Sequence, residues 1–515
     1  MARKWWTLIA VCTGVFMLLL DITIVNVALP DIQHAFGASL ADLQWVIDAY
    51  ALTLAAFLLT AGSVADRSGR RLVFAVGIVV FTLGSALCGA AQDATFLSVS
   101  RALQGVGGAI MFATSLALLA DAFEPNERGT AFGVFGAITG IAVAIGPVLG
   151  GAITSGLSWR WIFFVNLPIG VFALAVTLLR VRESRAPVRR PLDWAGFATF
   201  STGLAALVFG LIRSHPDGWG SSTVVGSLVA SVLLLTAFAV IELRSRAPML
   251  DLSLLRVPTF DGGLIAAWAI SASLFSLLTY LVLYLQNVLG HSAFQTGLQL
   301  LPLTGAIFLT AGIAGRMISR VPIRWLIGPG FALIGAGLLL MRGLTPADHW
   351  THLLGGMIVA GVGAGLVNVP LASTAVGVVE PARAGMASGI NSTLRQVGIA
   401  TGVAALGSIL ASQIHSSVIS HLRPGPLAAH ATQIAQAVSN GQIGHALQST
   451  PAPVRGLAAA AARGSFVDAL NVILLVGAIV AFAGAVLTAA LIRQRDFVGV
   501  SAEADDSAAV AIPAV

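Results

Sequence analysis

Three charged residues in the first part of the chain, Asp21, Asp48 and Arg101, stand inside long runs of apolar residues. A charge at the depth of a lipid bilayer is costly, so such residues are functional candidates by default. Burial raises a carboxyl group's affinity for protons, and a nearby arginine, which does not titrate, opposes that rise. We therefore interpret the three residues as candidates for proton coupling. A buried ion pair that only locks helices together is the alternative.

Other residues in the apolar runs could recognise a ligand. Arg395 is predicted about 9 Å inside its run, where its side chain can reach the headgroups, so we assign it no role in transport. A largely apolar cavity with one or two acids suits a lipophilic or amphipathic small molecule, often a cation. Hydrogen bonds between helices are the alternative role for each polar residue. The candidates for a cavity are Asn26, Tyr50, Gln104, Trp268, Gln286, Asn368, Asn391 and Gln396.

The apolar runs themselves predict a membrane protein. Of the 515 residues, 57% are hydrophobic and 10% charged, whereas soluble domains carry about 25% charged residues. Runs of this length span a bilayer as helices, and we predict an all-α polytopic fold with both termini in the cytoplasm. The fourteen predicted spans are 5–29, 43–64, 72–91, 96–120, 130–154, 161–180, 195–213, 222–243, 260–288, 296–315, 323–342, 351–378, 389–412 and 466–492.

The basic residues support this orientation. Of the 28 Lys and Arg residues, 20 fall in segments predicted to be cytoplasmic and 6 in segments predicted to be outside. Positively charged residues prefer the cytoplasmic loops of membrane proteins. Because the net charge of +6 is spread over these short loops, we expect contact with membrane lipids and not with nucleic acid.

The predicted spans group into two related halves joined by a linker. Residues 127–151 resemble residues 382–408, and such internal repeats are typical of secondary transporters with a substrate site between two halves. A long loop predicted on the outer side, at 413–465, would either form short amphipathic helices on the membrane or remain poorly ordered. The predicted units are a six-helix half at 1–180, a basic linker with spans seven and eight at 181–259, a second six-helix half at 260–492 with a long outer loop at 413–465, and a tail at 493–515.

Several motifs resemble the major facilitator superfamily, and in particular its fourteen-span drug:proton antiporters of the EmrB/QacA type. The loop GSVADRSGRR (62–71) is similar to the superfamily's inner-loop signature, and LDITIVNVALPDI (20–32) to the subfamily's first span. The fifth span ends in GPVLGG (146–151), which resembles the exporters' motif, and WRWIFFVNLPIG (159–170) precedes the sixth span as in the subfamily. The resemblance implies two six-helix halves with an inserted helix pair.

The resemblance also implies roles for particular residues. A cytoplasmic gate would be formed by Gly62, Asp66, Arg67, Gly69, Arg70, Arg71 and Asp121. Gly62 would allow close helix approach, and Asp66 would cap a neighbouring helix. A pliable face against the second half would be formed by Gly146, Pro147, Gly150 and Gly151.

The function implied is proton-coupled export of amphipathic or lipophilic compounds by alternating access, as in multidrug efflux. Alternatives are an exporter or flipping carrier of an endogenous metabolite or lipid, a proton symporter for uptake, and a scaffold without transport activity. The sequence contains no hydrolase, metalloprotease or ATP-binding motif. We therefore expect no enzyme activity, cofactor or metal, a proton gradient as the energy source, a monomeric transport unit and a location in a bacterial cytoplasmic membrane.

Overall fold

The computed structural model describes residues 3–124, 127–184, 193–245, 248, 250, 252–318, 320–379, 384–423, 431–439 and 454–497. Within these residues the chain forms helices and no strands. The long helices are α1 (Arg3–Phe36), α2 (Leu40–Ser68), α3 (Arg70–Gly89), α4 (Ala94–Ala122), α5 (Arg128–Gly156), α6 (Trp161–Arg180), α7 (Trp194–Asp217), α8 (Ser222–Arg244), α9 (Pro258–Val288), α10 (Ala293–Met317), α11 (Arg324–Leu340), α12 (Leu354–Val376), α13 (Ala384–Leu422) and α14 (Arg455–Leu491).

The helices coincide with the fourteen predicted spans. Thirteen are long and apolar enough to cross a membrane, and α11 has 17 residues. The all-α polytopic fold is therefore confirmed, whereas the count of fourteen crossings stays a prediction. Local sequence explains several helix starts. Ser39 and Ser292 each begin a capping box, with Asp42 and Gln295 as the returning side chains.

Four helix ends differ from the predicted spans by five residues or more. Helix α1 continues to Phe36, α13 begins at Ala384 and continues to Leu422, and α14 begins at Arg455. Hydropathy alone ends a span at its first polar cluster, although a helix continues wherever its backbone groups stay paired. As a result residues 413–422 and 455–465 of the predicted outer segment 413–465 are helical. Arg395 lies eleven residues, or about 17 Å, from the described start of α13.

Within the outer segment, a short outer helix spans Ala431–Ser439. Its buried residues recur at helical spacing, namely Ala431, Ile434, Ala435 and Val438. The helix packs against α13 and α14. The predicted amphipathic helix is therefore present, but its apolar face covers protein. Residues 424–430 and 440–453, and the tail from 498 onward, lie outside the described residues.

The helices pack as two groups with a pair between them. Helices α1–α6 contact one another, as do α9–α14, and the groups meet where α2 packs on α13, α5 on α10, and α1 on α9. Helices α7 and α8 pack together, and α7 also contacts α2 and α13. The pair thus covers one seam between the two groups, which we call the first and second halves.

The two halves are joined toward the predicted outer end. Hydrogen bonds cross between them from the Gln286 side chain to the Val27 carbonyl (2.8 Å), from Asn287 to Gln33 (3.1 Å) and from the Phe294 amide to Ser155 (3.0 Å). In the opposite half of α5, a Cβ added at Gly133 or Gly136 would have nothing within 4 Å. The seam between α5 and α10 is therefore tight at one end of the membrane and open at the other.

Candidate functional site

Asp21 lies at the centre of a buried polar cluster inside the first half. It is 0% exposed, and its carboxylate contacts the guanidinium of Arg101 at 2.5 Å. The side-chain amides of Gln104 and Asn166 donate to its other oxygen at 2.8 and 3.1 Å. Helices α1, α4 and α6 each supply part of this cluster, so Asp21 is compensated by one cation and two neutral donors.

Arg101 is held as completely as its partner. Its Nε donates to the Val46 carbonyl at 3.2 Å, and its Nη1 also donates to the Gln104 side chain at 2.7 Å. The guanidinium carbon lies 4.1 Å from the ring centroid of Tyr50. With 2% of its surface exposed, Arg101 forms a buried salt bridge and also donates hydrogen bonds to groups of α2 and α4. Such a pair is costly to break from either side.

Sequence reasoning missed two members of this cluster, Ser85 and Asn166. Ser85 donates to the Phe163 carbonyl at 2.9 Å and accepts hydrogen bonds from Gln104 and Asn166. Asn166 belongs to the quoted motif WRWIFFVNLPIG, and an asparagine in an apolar run is a signal that could have been followed. Ser85 offered no such signal, because serine is common in membrane helices, where it bonds to its own backbone.

Asp48 presents the opposite arrangement. It is 0% exposed, and neither of its carboxylate oxygens has a hydrogen-bond partner. It lies one turn from Gln44 on the same face of α2. The Gln44 amide lies 3.3 Å from the Tyr280 hydroxyl and 3.2 Å from the Val403 carbonyl, and the Tyr280 hydroxyl donates to that carbonyl. Asp48 is thus a carboxyl without a partner on the face of α2 that meets α9 and α13.

A small cavity of about 20 Å³, room for about one water molecule, lies between the halves beside the Asp21 cluster. Its lining joins α1, α2 and α4 of the first half to α13 of the second. The described lining contains one charged side chain and no acid. It consists of Ile22, Val25, Asn26, Ile47, Tyr50, Ala51, Arg101, Gln396 and Ile399.

Of the eight predicted cavity residues, three line this cavity: Asn26, Tyr50 and Gln396. Asn26 also accepts a hydrogen bond from Thr279 across the seam, at 3.1 Å. Tyr50 keeps a buried hydroxyl without a partner. These three residues bring polar atoms from both halves to one space.

The other five lie elsewhere. Gln104 is sealed in the Asp21 cluster, and Gln286 joins α9 to α1. Trp268 donates to Thr401 at 3.1 Å, and Asn391 to the Gly263 carbonyl at 3.3 Å, so both bond α9 to α13. Asn368 has a buried side-chain oxygen without a hydrogen-bond partner. Hydrogen bonding between helices, the alternative role, is therefore the one observed for Gln104, Gln286, Trp268 and Asn391.

The glycines of the Gly-Pro motif in α5 lie close to the neighbouring helices. A Cβ at Gly146 would collide with the Thr23 side chain, and one at Gly150 would lie 2.8 Å from Ile24. At Gly151 it would lie 2.8 Å from the backbone of Phe294 on α10. Pro147 is buried, and its carbonyl packs against Gly297. The motif thus places α5 against α1 and against the second half with backbone nearly touching backbone.

The predicted gate residues lie around the connection between α2 and α3. Gly69 has φ +118°, a conformation that favours glycine. Arg70 forms a 2.5 Å salt bridge with Asp121, at the end of α4. Arg67 is exposed, and Gly62 has open space where a Cβ would lie, so the expected close approach at Gly62 is not present. The side chain of Asp66 lies outside the described residues.

The N-terminus of α3 is capped by a residue that sequence reasoning missed. The Glu183 carboxylate accepts hydrogen bonds from the backbone amides of Arg71 and Leu72, at 3.0 and 3.1 Å, in the first turn of α3. It also lies 3.8 Å from the Arg71 side chain. A Cβ at Gly69 would lie 2.7 Å from this carboxylate. An acid within an otherwise basic linker was the available signal.

Comparisons with known proteins match this architecture. The family model described as Major Facilitator Superfamily matches residues 11–403. The chain is 37% identical over 430 residues to "Multidrug resistance protein Stp" of Mycobacterium tuberculosis (strain ATCC 25618 / H37Rv), covering 82% of this chain and 80% of that one. It is 39% identical to "Puromycin resistance protein pur8" of Streptomyces alboniger, covering 79% and 82%.

Solved structures share the fold. A bacterial homologue of the human lysosomal transporter Spinster, described as inward-facing and occupied, superimposes with a TM-score of 0.67 at 15% sequence identity. The match covers 96% of this chain and 98% of that one. The likeness extends over nearly the whole length of both proteins.

Proposed function

The chain belongs to the major facilitator superfamily, and from this premise we propose that it is a proton-coupled antiporter that exports amphipathic or lipophilic compounds from a bacterial cell. It is a multi-pass membrane transporter and not an enzyme. Relatives named for drug resistance, and one named "Tetracenomycin C resistance and export protein" from Streptomyces glaucescens, support an antibiotic-like cargo. The proposal places the protein in the cytoplasmic membrane with both termini inside, and makes the single chain the transport unit.

The unpartnered carboxyl of Asp48 is the observation that carries proton coupling. An ionised carboxylate buried without a partner costs several kcal/mol. A bound proton removes most of that cost, so the seam formed by α2, α9 and α13 closes more readily around a neutral Asp48. In the alternating-access cycle that we propose, opening the outer end brings Asp48 to water, about 12 Å from the end of α2. There it takes up the proton that allows the outer end to close again.

Asp21 has a different role in this proposal. Its carboxylate already has Arg101 and two amides, so it stays ionised while that cluster is intact. It would take up a proton only if a substrate or a helix movement drew Arg101 away. Because Arg101 also lines the cavity between the halves, substrate binding and the state of Asp21 can be linked through this one side chain.

The burial of the two acids bears on the charge of the cargo. The expectation of a cation assumed that an acid faces the cavity, but Asp21 and Asp48 are both 0% exposed. Their charges are therefore not offered to a ligand in this conformation, and the structural support for a cation preference is weak.

The test is transport by purified full-length protein in liposomes with an imposed pH gradient. We would offer permanently charged lipophilic cations, neutral drugs, acidic aromatic compounds and lipids, because weak bases also accumulate passively in acidic vesicles. An antiporter concentrates its substrate in vesicles whose interior is more acidic, whereas a symporter does so when the exterior is more acidic. Trapped pyranine would report the matching proton flux. Uptake equal to that of protein-free vesicles under both gradients contradicts the proposal.

A further inference from the structure

Beside the cavity between the halves, α13 carries a second cation, Arg395, which directly precedes the lining residue Gln396. Arg395 is partly exposed, and within the described residues no side chain or carbonyl accepts a hydrogen bond from it and no acid pairs with it. The ring centroid of Phe275 lies 6.0 Å from the guanidinium carbon of Arg395. This differs sharply from Arg101, the other arginine at span depth, which has an acid, a carbonyl and an amide.

The position of Arg395 points to the cavity and not to the lipid surface. Arg395 lies beside Phe275 of α9, the helix that meets α1 at the seam between the halves. The next residue, Gln396, lines the cavity together with Arg101. Arg395 is therefore placed on α13 next to the cavity lining and beside α9.

The charges around the cavity have one sign. Asp21 is neutralised by Arg101, and Asp48 is sealed. The described lining holds no acid. A molecule that enters when the halves part would therefore meet the amides of Asn26 and Gln396 and, beside Gln396, the guanidinium of Arg395 with the ring of Phe275.

From these observations we infer that Arg395 and Phe275 form a subsite for the acidic group of an amphipathic substrate: a carboxylate, sulfonate or phosphate attached to an aromatic or lipophilic body. The planar guanidinium offers two parallel N–H donors that match two oxygens of such a group. The ring of Phe275 holds the guanidinium from one side through a cation–π contact. This inference rests on the proposed transport function and adds the charge class of the cargo.

The test uses three probes that share one ring system: 2-naphthoate, its neutral amide, and 2-naphthylmethylammonium. Binding to the purified full-length protein in phosphatidylcholine nanodiscs is measured by equilibrium dialysis. We expect the native protein to bind the carboxylate more tightly than the ammonium. Arg395→Gln should weaken binding of the carboxylate by about 10- to 100-fold, the range of a charge-assisted hydrogen-bonded pair, and change binding of the neutral amide less than about twofold.

Two control variants keep the result interpretable. Arg395→Lys retains the charge without the planar fork and should give an intermediate affinity for the carboxylate. Arg213→Gln removes one positive charge from the exposed pair with Asp217 on α7, and should leave the binding of all three probes unchanged. Thermal unfolding in the same nanodiscs identifies a variant that fails to fold. If Arg395→Gln misfolds, Arg395→Lys and the charge preference of the native protein still decide the inference.

An acidic group could come from a free compound or from a lipid headgroup. Nanodiscs that contain phosphatidylglycerol separate these sources. Competition by this lipid in the native protein, absent in Arg395→Gln, identifies a headgroup as the occupant, and undiminished naphthoate binding identifies a free acid.

The inference is overturned if Arg395→Gln leaves carboxylate binding unchanged, if it weakens all three probes equally, or if the native protein prefers the ammonium. Failure of the transport proposal is distinguishable from this failure. In that case the carboxylate still binds selectively at Arg395, while neither pH gradient moves any probe across a liposome membrane.

Discussion

The first half buries two carboxyl groups, and they differ in whether the protein compensates their charge. Asp21 has an arginine and two amides inside a single six-helix half. Asp48 has no partner and lies where the first half meets the second. A compensated charge stabilises one arrangement of helices, whereas a carboxyl without a partner changes its burial cost whenever it gains or loses a proton. The seam between the halves is where that change can alter conformation.

The largest effect that tests this contrast is on stability. Asp21→Asn leaves Arg101 as a buried cation without its acid, so we expect the protein to lose about 3–5 kcal/mol of stability. Thermal unfolding in detergent would measure the loss. The double variant Asp21→Asn with Arg101→Gln should recover part of it, because no uncompensated charge remains. If the single variant unfolds at the same temperature as the native protein, the cluster does not hold the half together.

The second effect is on transport. Asp48→Asn keeps the shape of the side chain but fixes it in the neutral form, so the seam closes without a proton. We expect gradient-driven export to fall by about 100-fold, at the upper end of coupling between linked sites, while thermal stability is unchanged or slightly higher. Asp217→Asn, which alters an exposed pair on α7, serves as the control. Normal proton-coupled export by Asp48→Asn would show that the proton is carried elsewhere.

These two acids also show what could be predicted from the sequence. Charges in apolar runs identified Asp21, Asp48 and Arg101 as a group, and hydropathy placed the helices that carry them. The sequence did not distinguish the two acids, because the difference depends on which faces of α1 and α2 turn toward α4 and α13. That rotation is set by packing of distant helices, which no local pattern contains.

Helix ends and linker contacts were harder to predict for a related reason. A membrane helix can continue past its apolar run, as α13 does to Leu422, because backbone pairing does not need apolar side chains. The cap that Glu183 places on α3 joins residues more than a hundred positions apart. By contrast, the Gly-Pro motif of α5 was predicted as a pliable face against the second half. Its small residues do lie close to α1 and α10, whereas its pliability stays a prediction.

A smaller effect should come from the hydrogen bonds beside Asp48. Tyr280→Phe removes the donor to the Val403 carbonyl and the contact with Gln44, at a cost of about 1 kcal/mol. Because these bonds join the halves, the outer end should open more often, and the Asp21 cluster should be unaffected. Spin labels at the outer ends of α2 and α13 would report a larger population of long distances. An unchanged distribution would mean that other contacts alone hold the outer end closed.

The smallest effect is expected at the predicted cytoplasmic end, far from both acids. Glu183→Gln keeps the shape of the cap on α3 but removes its charge from the helix N-terminus, which is worth about 0.3–1 kcal/mol. Glu127→Gln, at the salt bridge with Lys4 near the same end, offers a matched change at the residue before α5. Its side chain accepts no capping hydrogen bond there, so the change should cost less. Thermal unfolding would compare the two variants.

The purpose of Glu183→Gln is to separate stability from coupling. The variant lowers the stability of the first half slightly but does not touch the seam, so the number of protons moved per substrate should stay at the native value. Pyranine fluorescence and substrate uptake, recorded in the same liposomes, give that ratio. If Glu183→Gln changes the ratio as strongly as Asp48→Asn does, loss of coupling is a general response to perturbing the first half. The contrast between a compensated and an unpartnered acid would then no longer explain where the proton is carried.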